Sequence, residues 1–228
     1  MAIKCADKAN HHADAVQPGL MPFFPSRIIM PGVSGGVKGS TCKNLMLTAT
    51  PPFDKIVILH YDPEGTDEWA DVEPHKIMTV DEFPTDAREL FDRDEKNALV
   101  IDELDFTAMS RPNRGKMDRL FNYMCSHHSI TCYCLQQNLV SIPPTIRRSA
   151  THMVLWRTPD KNAQKYISRL TGHDLDQLFK LPVTTFSICQ PKSPLKSPLI
   201  SVYCSVKYTF LPVTFLTVDI AEIFPAYK

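Results

Sequence analysis

The chain has 228 residues, 43% of them apolar and 22% charged, the balance of a globular protein long enough to bury a core within one main domain. Its 25 basic and 25 acidic residues cancel, which excludes a polyanion binder acting through overall charge and confines any nucleic-acid contact to a local patch. No apolar run reaches the about 18 residues of a membrane-spanning helix, and the first residues lack the apolar core of a secretory signal.

Residues 1–26, with His11-His12 and scattered prolines, read as a poorly ordered arm. Arg27 to Met30 is a short apolar run that stops at Pro31-Gly32, and Cys42 to Leu47 beyond it suits a helix. Lys55 to His60 is a second buried strand, 61–75 a polar connector, Lys76 to Val80 a further short strand, and Asp86 to Phe91 helix-like. Ala98 to Ile101 is a strand ending on acids; Met117, Leu120, Phe121 and Met124 recur at helical spacing over Lys116 to His127. Strands follow at Ile130 to Leu135 and His152 to Trp156, and helices at Asn162 to Leu170 and Asp174 to Phe179. Apolar strands alternating with helices predict an α/β fold, a mostly parallel sheet flanked by helices, over residues 27–182. Residues 183–228 lack a helical period and predict a β-rich extension, with Lys192 to Ile200 as turn or linker and a strand pair within Val202 to Val218. The seven cysteines are odd in number and mostly lie in apolar segments, as reduced thiols of an intracellular protein do.

Four of the eight glycines fall in Gly32-Val33-Ser34-Gly35-Gly36-Val37-Lys38-Gly39-Ser40-Thr41. Glycines there let backbone N–H groups close around an anion ahead of a helix, and a lysine can reach the terminal phosphates. Counted from Gly32 in the pattern GxxxxGK[ST], Lys38 takes the lysine position. Val37 stands where the pattern has Gly, Gly39 where it has Ser or Thr, and the hydroxyls come one residue late as Ser40-Thr41. Gly32, Ser34, Gly35, Gly36, Lys38, Gly39, Ser40 and Thr41 are therefore the candidate nucleotide contacts, against the plainer reading of a flexible glycine loop.

The strand from Asn97 ends in Asp102-Glu103. Paired after a phosphate loop, the first carboxylate suits magnesium and the second the attacking water; a solvated strand end is the bland alternative. Asp105 reads as a cap or loop acid. The next strand ends in Gln136-Gln137-Asn138, where Gln137 or Asn138 could sense the γ-phosphate. Arg147-Arg148 precedes the following strand, either as a surface charge couple or as an arginine finger for a neighbouring subunit. His127-His128 with Cys125, Cys132 and Cys134 do not make one tetrahedral set, and cysteines at i, i+2 on a strand suit core packing.

Together with His60-Tyr61-Asp62-Pro63-Glu64, Leu120-Phe121-Asn122-Tyr123, Ser126-His127 and Ile142-Pro143-Pro144-Thr145-Ile146, these motifs resemble the viral genome-packaging branch of the FtsK–HerA superfamily. That branch is carried by poxvirus-like large DNA viruses, Polinton elements, adintovirus-like viruses and tailless membrane-containing phages. The resemblance covers about residues 27–180. It implies a P-loop ATPase that assembles as a homo-oligomeric ring, hydrolyses ATP with Mg2+ at subunit interfaces and drives double-stranded DNA into a capsid through a capsid or portal protein. It further implies that Lys38 binds the β/γ-phosphates, Ser40 or Thr41 and Asp102 hold magnesium, and Glu103 activates water. Gln137 or Asn138 becomes the sensor and Arg147 or Arg148 the finger. The expected location is the host nucleus, a viral factory or the virion. The polar stretch Ser110 to Lys116, with Arg111, Arg114 and Lys116, is a candidate DNA-contact loop or a solvated basic loop. Two other classes compete. A degenerate P-loop protein that binds nucleotide or DNA without hydrolysis is favoured by the altered loop and opposed by the intact acid pair. A small-molecule kinase would need an arginine-rich lid that this chain does not offer.

Overall fold

Residues 24–32, 38–155, 160–171, 185–189 and 200–204 are described in the computed structural model of the chain. The apolar runs become strands β1 (Arg27–Pro31), β2 (Lys55–Leu59), β3 (Lys76–Met78), β4 (Asn97–Asp102), β5 (Ile130–Gln136) and β6 (His152–Leu155). All residues of β4, β5 and β6 are buried, so both strand faces must be apolar; this is why these segments read as unbroken rather than alternating runs. The six strands pair in parallel in the order β3-β2-β4-β5-β1-β6. Two further strands, β7 (Thr185–Cys189) and β8 (Ile200–Cys204), continue the same sheet antiparallel from β6. The anticipated strand pair in 202–218 is thus shifted toward the N-terminus among the described residues, and 205–218 lie outside them.

The pleat divides the core in two. Ile28, Met30, Ile58, Ala98, Val100, Tyr133 and Leu135 face α1 (Lys38–Leu47) through Cys42, Leu45 and Met46, with Trp69 and Val72 beside them. Ile29, Leu99, Ile101, Cys132 and Cys134 pack on the opposite face against Met117, Leu120, Phe121, Met124, Ile146 and Ile167. Those come from α2 (Arg111–Arg119), a π-helical turn (Leu120–Met124), α4 (Pro144–Ser149) and α5 (Lys161–Thr171), and Cys125 of α3 (Cys125–His127) joins them.

Two local expectations change. The stretch Ser110 to Lys116 is not a loop: Ser110 caps α2 by accepting from the Asn113 N–H (3.4 Å), and Pro112 sits in the first turn, where its missing N–H costs nothing. The helix therefore starts at Arg111, ahead of Met117, where its apolar period becomes visible. The segment Asp86 to Phe91 is only a 3-10 turn, Ala87–Glu89, capped by Asp86. The helix expected at Asp174 to Phe179 lies outside the described residues, as does the arm up to residue 23.

Candidate active site

In parallel sheets the loops leaving the strand carboxyl ends form the ligand crevice. The strand order decides which loops meet here. β5 lies between β1 and β4, so the exit of β1 at Gly32, the Gln136-Gln137-Asn138 corner and the Asp102-Glu103 corner come side by side. The Gly32 N–H donates to the Gln136 carbonyl (2.9 Å), which ties the exit of β1 to that of β5. Residues 33–37, including Ser34, Gly35 and Gly36, lie outside the described residues.

Lys38 opens α1 and is buried, at 5% exposure. Its Nζ donates to the Gly32 carbonyl (2.9 Å) and to Glu103 Oε1 (3.1 Å). The lysine thus arches back over the loop entrance and crosses the end of β5 to reach the acid pair. Ser40 is exposed and Thr41 half-buried. Since successive helix residues are rotated by about 100°, neither hydroxyl leaves the helix in the direction of position 39.

Asp102 ends β4 on the α1 side of the sheet, at 6% exposure. Trp69 Nε1 donates to its Oδ2 (3.0 Å), and His60 Nε2 lies 4.0 Å from the same oxygen. Burial pushes the Asp102 carboxyl above the usual carboxylate range; the Trp69 hydrogen bond opposes this, while the Glu68 and Glu103 charges add to it. A carboxylate so desolvated and so weakly neutralised suits a cation. Among the described residues no group of three or more His, Cys, Asp or Glu side chains is placed to hold a metal alone. Magnesium here fits only as an ion completed by nucleotide phosphate oxygens, which is its usual mode.

Glu103 leaves the strand with φ 50, the left-handed region that a glutamate adopts only when its surroundings enforce it. Its backbone N–H donates to the Leu135 carbonyl (3.0 Å), and this bond to β5 supplies the constraint. The turn aims the side chain across the strand ends, where Lys38 holds Oε1 and the Gln137 Nε2 donates to Oε2 (3.0 Å). Burial alone would push the carboxyl up; the hydrogen bonds from Gln137 and Lys38 and the lysine charge outweigh it and hold Glu103 below the usual glutamate value. The group is therefore a stable carboxylate near neutral pH.

The two sensor candidates separate. Gln137 touches Glu103, whereas the Asn138 Oδ1 accepts from the Val140 N–H (2.8 Å) and its carbonyl from the Ser141 hydroxyl (2.7 Å), a turn-forming role. Arg147 and Arg148 lie in the last turn of α4, at the other end of the strands: the next carbonyl, Ser149, accepts from Arg27 Nε (2.5 Å) at the start of β1. With about 3.3 Å per residue, the length of β1 separates them from the Gly32 end. Arg147 lies over the Tyr166 ring (4.4 Å to the centroid), while Arg148 is exposed. Cys132 and Cys134 pack in the core, where burial pushes both thiols up. In the basic stretch, Arg114 donates to the carbonyls of Phe106, Thr107 and Met109, and Lys116 to those of Asp81 and Phe83. Among the described residues, Arg111 is exposed and has no such partner.

Three residues around Asp102 were not singled out for the site in the sequence: His60, Glu68 and Trp69. His60 stands in the sequence only as the first residue of His60-Tyr61-Asp62-Pro63-Glu64. Glu68 and Trp69 lie in the polar connector, whose composition announces a loop and nothing more. The signal that pointed there was negative, the missing hydroxyl at Gly39.

No protein-family pattern matches the chain, and none of the curated proteins matches it significantly. Solved structures do. The genome packaging NTPase B204 from Sulfolobus turreted icosahedral virus 2, in complex with AMPPCP, superposes with a TM-score of 0.58 at 13% identity, covering 79% of this chain and 98% of that one. The pCW3 conjugation coupling protein TcpA, with ATPγS, gives 0.53 at 16% identity over 74% of this chain and 58% of that one. EssC (ATPases 2 and 3) from Geobacillus thermodenitrificans gives 0.54 at 14% identity over 79% and 40%. The fold is the α/β P-loop ATPase core.

Proposed function

We propose that the chain is an ATP-driven motor that translocates or packages double-stranded DNA for a virus or virus-like element. It would act as a homo-oligomeric ring of the FtsK–HerA superfamily, in the branch of poxvirus-like viruses, Polintons and adintovirus-like viruses, docked on a capsid or portal protein. The observation that carries the reading is the Lys38–Glu103–Gln137 network across the ends of β1, β4 and β5, beside the buried Asp102. Likeness in fold to a packaging NTPase that matches over nearly its whole length supports the choice of motor.

In the network described above Lys38 is held by Glu103. An arriving triphosphate offers the lysine a stronger partner, because its terminal phosphates carry more charge than one carboxylate. Transfer of Lys38 to the β/γ-phosphates leaves Glu103 ionised and hydrogen-bonded to Gln137 alone, free to orient and deprotonate water for in-line attack on the γ-phosphorus. Gln137 joins the γ-phosphate to Glu103 as the sensor. Magnesium, when bound at Asp102, supplies neutralisation of the phosphate oxygens. Arg148, remote from its own loop and exposed, is the candidate finger for a neighbour's nucleotide; Arg147 is engaged with Tyr166. Arg111, at the start of α2, is the candidate DNA contact, with Arg114 and Lys116 occupied in their own chain. The host nucleus, a viral factory or the virion is the expected place of work.

The altered phosphate loop favours a second reading, a P-loop protein that binds nucleotide or DNA without hydrolysis. Phosphate release by the purified oligomer decides between them. The motor reading expects magnesium-dependent turnover that double-stranded DNA stimulates; ATP binding with no turnover in its presence leaves the structural reading standing.

A further inference from the structure

We propose that Glu68 supplies the magnesium-facing oxygen that the phosphate loop lacks at Gly39, so that the carboxylates of Glu68 and Asp102 share the cation of a bound nucleotide. The inference rests on the nucleotide site described above.

Gly39 follows Lys38 and so occupies the position that carries the Ser or Thr hydroxyl in GxxxxGK[ST]. The space of that side chain is not empty. A Cβ built on Gly39 would overlap Glu68 Oε1 and stand 3.5 Å from Glu68 Cδ. A carboxylate oxygen thus lies where the loop's own hydroxyl-bearing side chain would be, and the glycine is what admits it. The Glu68 backbone is also held in place. One turn along α1, the Lys43 Nζ donates to the Glu68 carbonyl (2.7 Å) and pairs with Asp71 (3.1 Å), which pins the connector to the helix. The adjacent Trp69 is wholly buried and its indole N–H holds Asp102. One dipeptide therefore positions both carboxylates, Glu68 directly and Asp102 through Trp69. Two neighbouring carboxylates beside the start of α1 repel each other unless a cation lies between them, and magnesium accepts one or two carboxylates together with phosphate oxygens and water. Ser40 and Thr41, turned away by the helix, are less well directed.

The test uses the full chain with ADP and Mn2+ as a paramagnetic probe, read by electron paramagnetic resonance, with nucleotide affinity measured separately in EDTA. Glu68→Ala is expected to weaken Mn2+ in the nucleotide complex on the order of tenfold or more while nucleotide affinity in EDTA stays within twofold. Gly39→Ser combined with Glu68→Ala is expected to restore the metal affinity, since the serine supplies the oxygen in the vacated space. Unchanged Mn2+ affinity in Glu68→Ala, with thermal stability alone reduced, overturns the inference and makes Glu68 a helix-end charge partner. An equal loss in EDTA overturns it as well, because Glu68 would then shape the loop rather than bind the metal. Wild-type protein that binds no nucleotide would bring down the site reading itself; a normal nucleotide affinity with unaltered metal binding brings down this inference alone.

Discussion

The two ends of the central strands use the same polar chemistry to opposite effect. At the amino ends, charged and amide groups are enclosed by fixed partners. Arg27 donates to the Ser149 carbonyl and the Ser126 hydroxyl. Asn97 Nδ2 donates to the carbonyls of Asp92, Glu95 and His128, and Lys96 lies between the Phe24 and Phe53 rings. At the carboxyl ends, Glu103 pairs with Lys38, and the neighbouring Asp102 is buried and pushed up by that burial. An end whose charges are balanced within the chain is finished by folding. One that leaves a desolvated carboxylate with only an indole N–H at 3.0 Å and an imidazole at 4.0 Å beside it is open to a ligand, and the proposed nucleotide with its cation would complete it.

This contrast can be broken from either side. The largest effect is expected from Glu103→Gln, which keeps the Gln137 and Lys38 neighbours but removes the base. Turnover should fall on the order of ten-thousandfold while ATP binding persists, as measured by phosphate release beside equilibrium binding; retained turnover would move the catalytic base elsewhere. Next comes the arginine pair. Arg148→Ala should lower turnover about a thousandfold in the assembled ring, with no change in the Tm of the subunit. Arg147→Ala should lower the Tm, because it loses the Tyr166 stack.

The third prediction belongs to the amino-end strand pair. His152 is buried, and burial holds its imidazole down at about 4 against an ordinary 6.5. Between those values the unfolded chain binds a proton that the folded chain refuses, so stability declines as pH falls from 6.5 toward 4. The total decline is about 3 kcal/mol. His152→Gln should flatten that slope in chemical denaturation at a series of pH values; an unchanged slope assigns the acid sensitivity to other groups. The smallest effect is that of Asn97→Leu, which strands three carbonyls and should cost about 2 kcal/mol of stability. Turnover per folded molecule should be unaltered, which separates the two ends of the same strand.

Much of the fold could be read directly because the strands are buried on both faces. Residues 98–101 and 130–135 have to be apolar throughout, and such runs stand out beside polar turns. The start of α2 escaped because it is set by a cap and a proline rather than by apolar spacing. α4 escaped because six residues carry too little period to register. In the site, Lys38, Asp102, Glu103 and Gln137 were legible as neighbours of strand ends. Which of Gln137 and Asn138 meets Glu103 was not, since both are amides and only the turn after β5 turns one toward Glu103 and the other into its own backbone.

From the sequence alone came the kinds of groups present and the ends of the strands they occupy, because hydrophobic periodicity and strand-terminal residues are local properties of the chain. Which groups meet was decided by the tertiary structure. Strand order put β5 between β1 and β4, a left-handed backbone turned Glu103 onto Lys38, and packing of the 66–72 connector on α1 brought Glu68 to Gly39 and Trp69 to Asp102. Those contacts join residues far apart along the chain, and only the burial of both sheet faces brings them together.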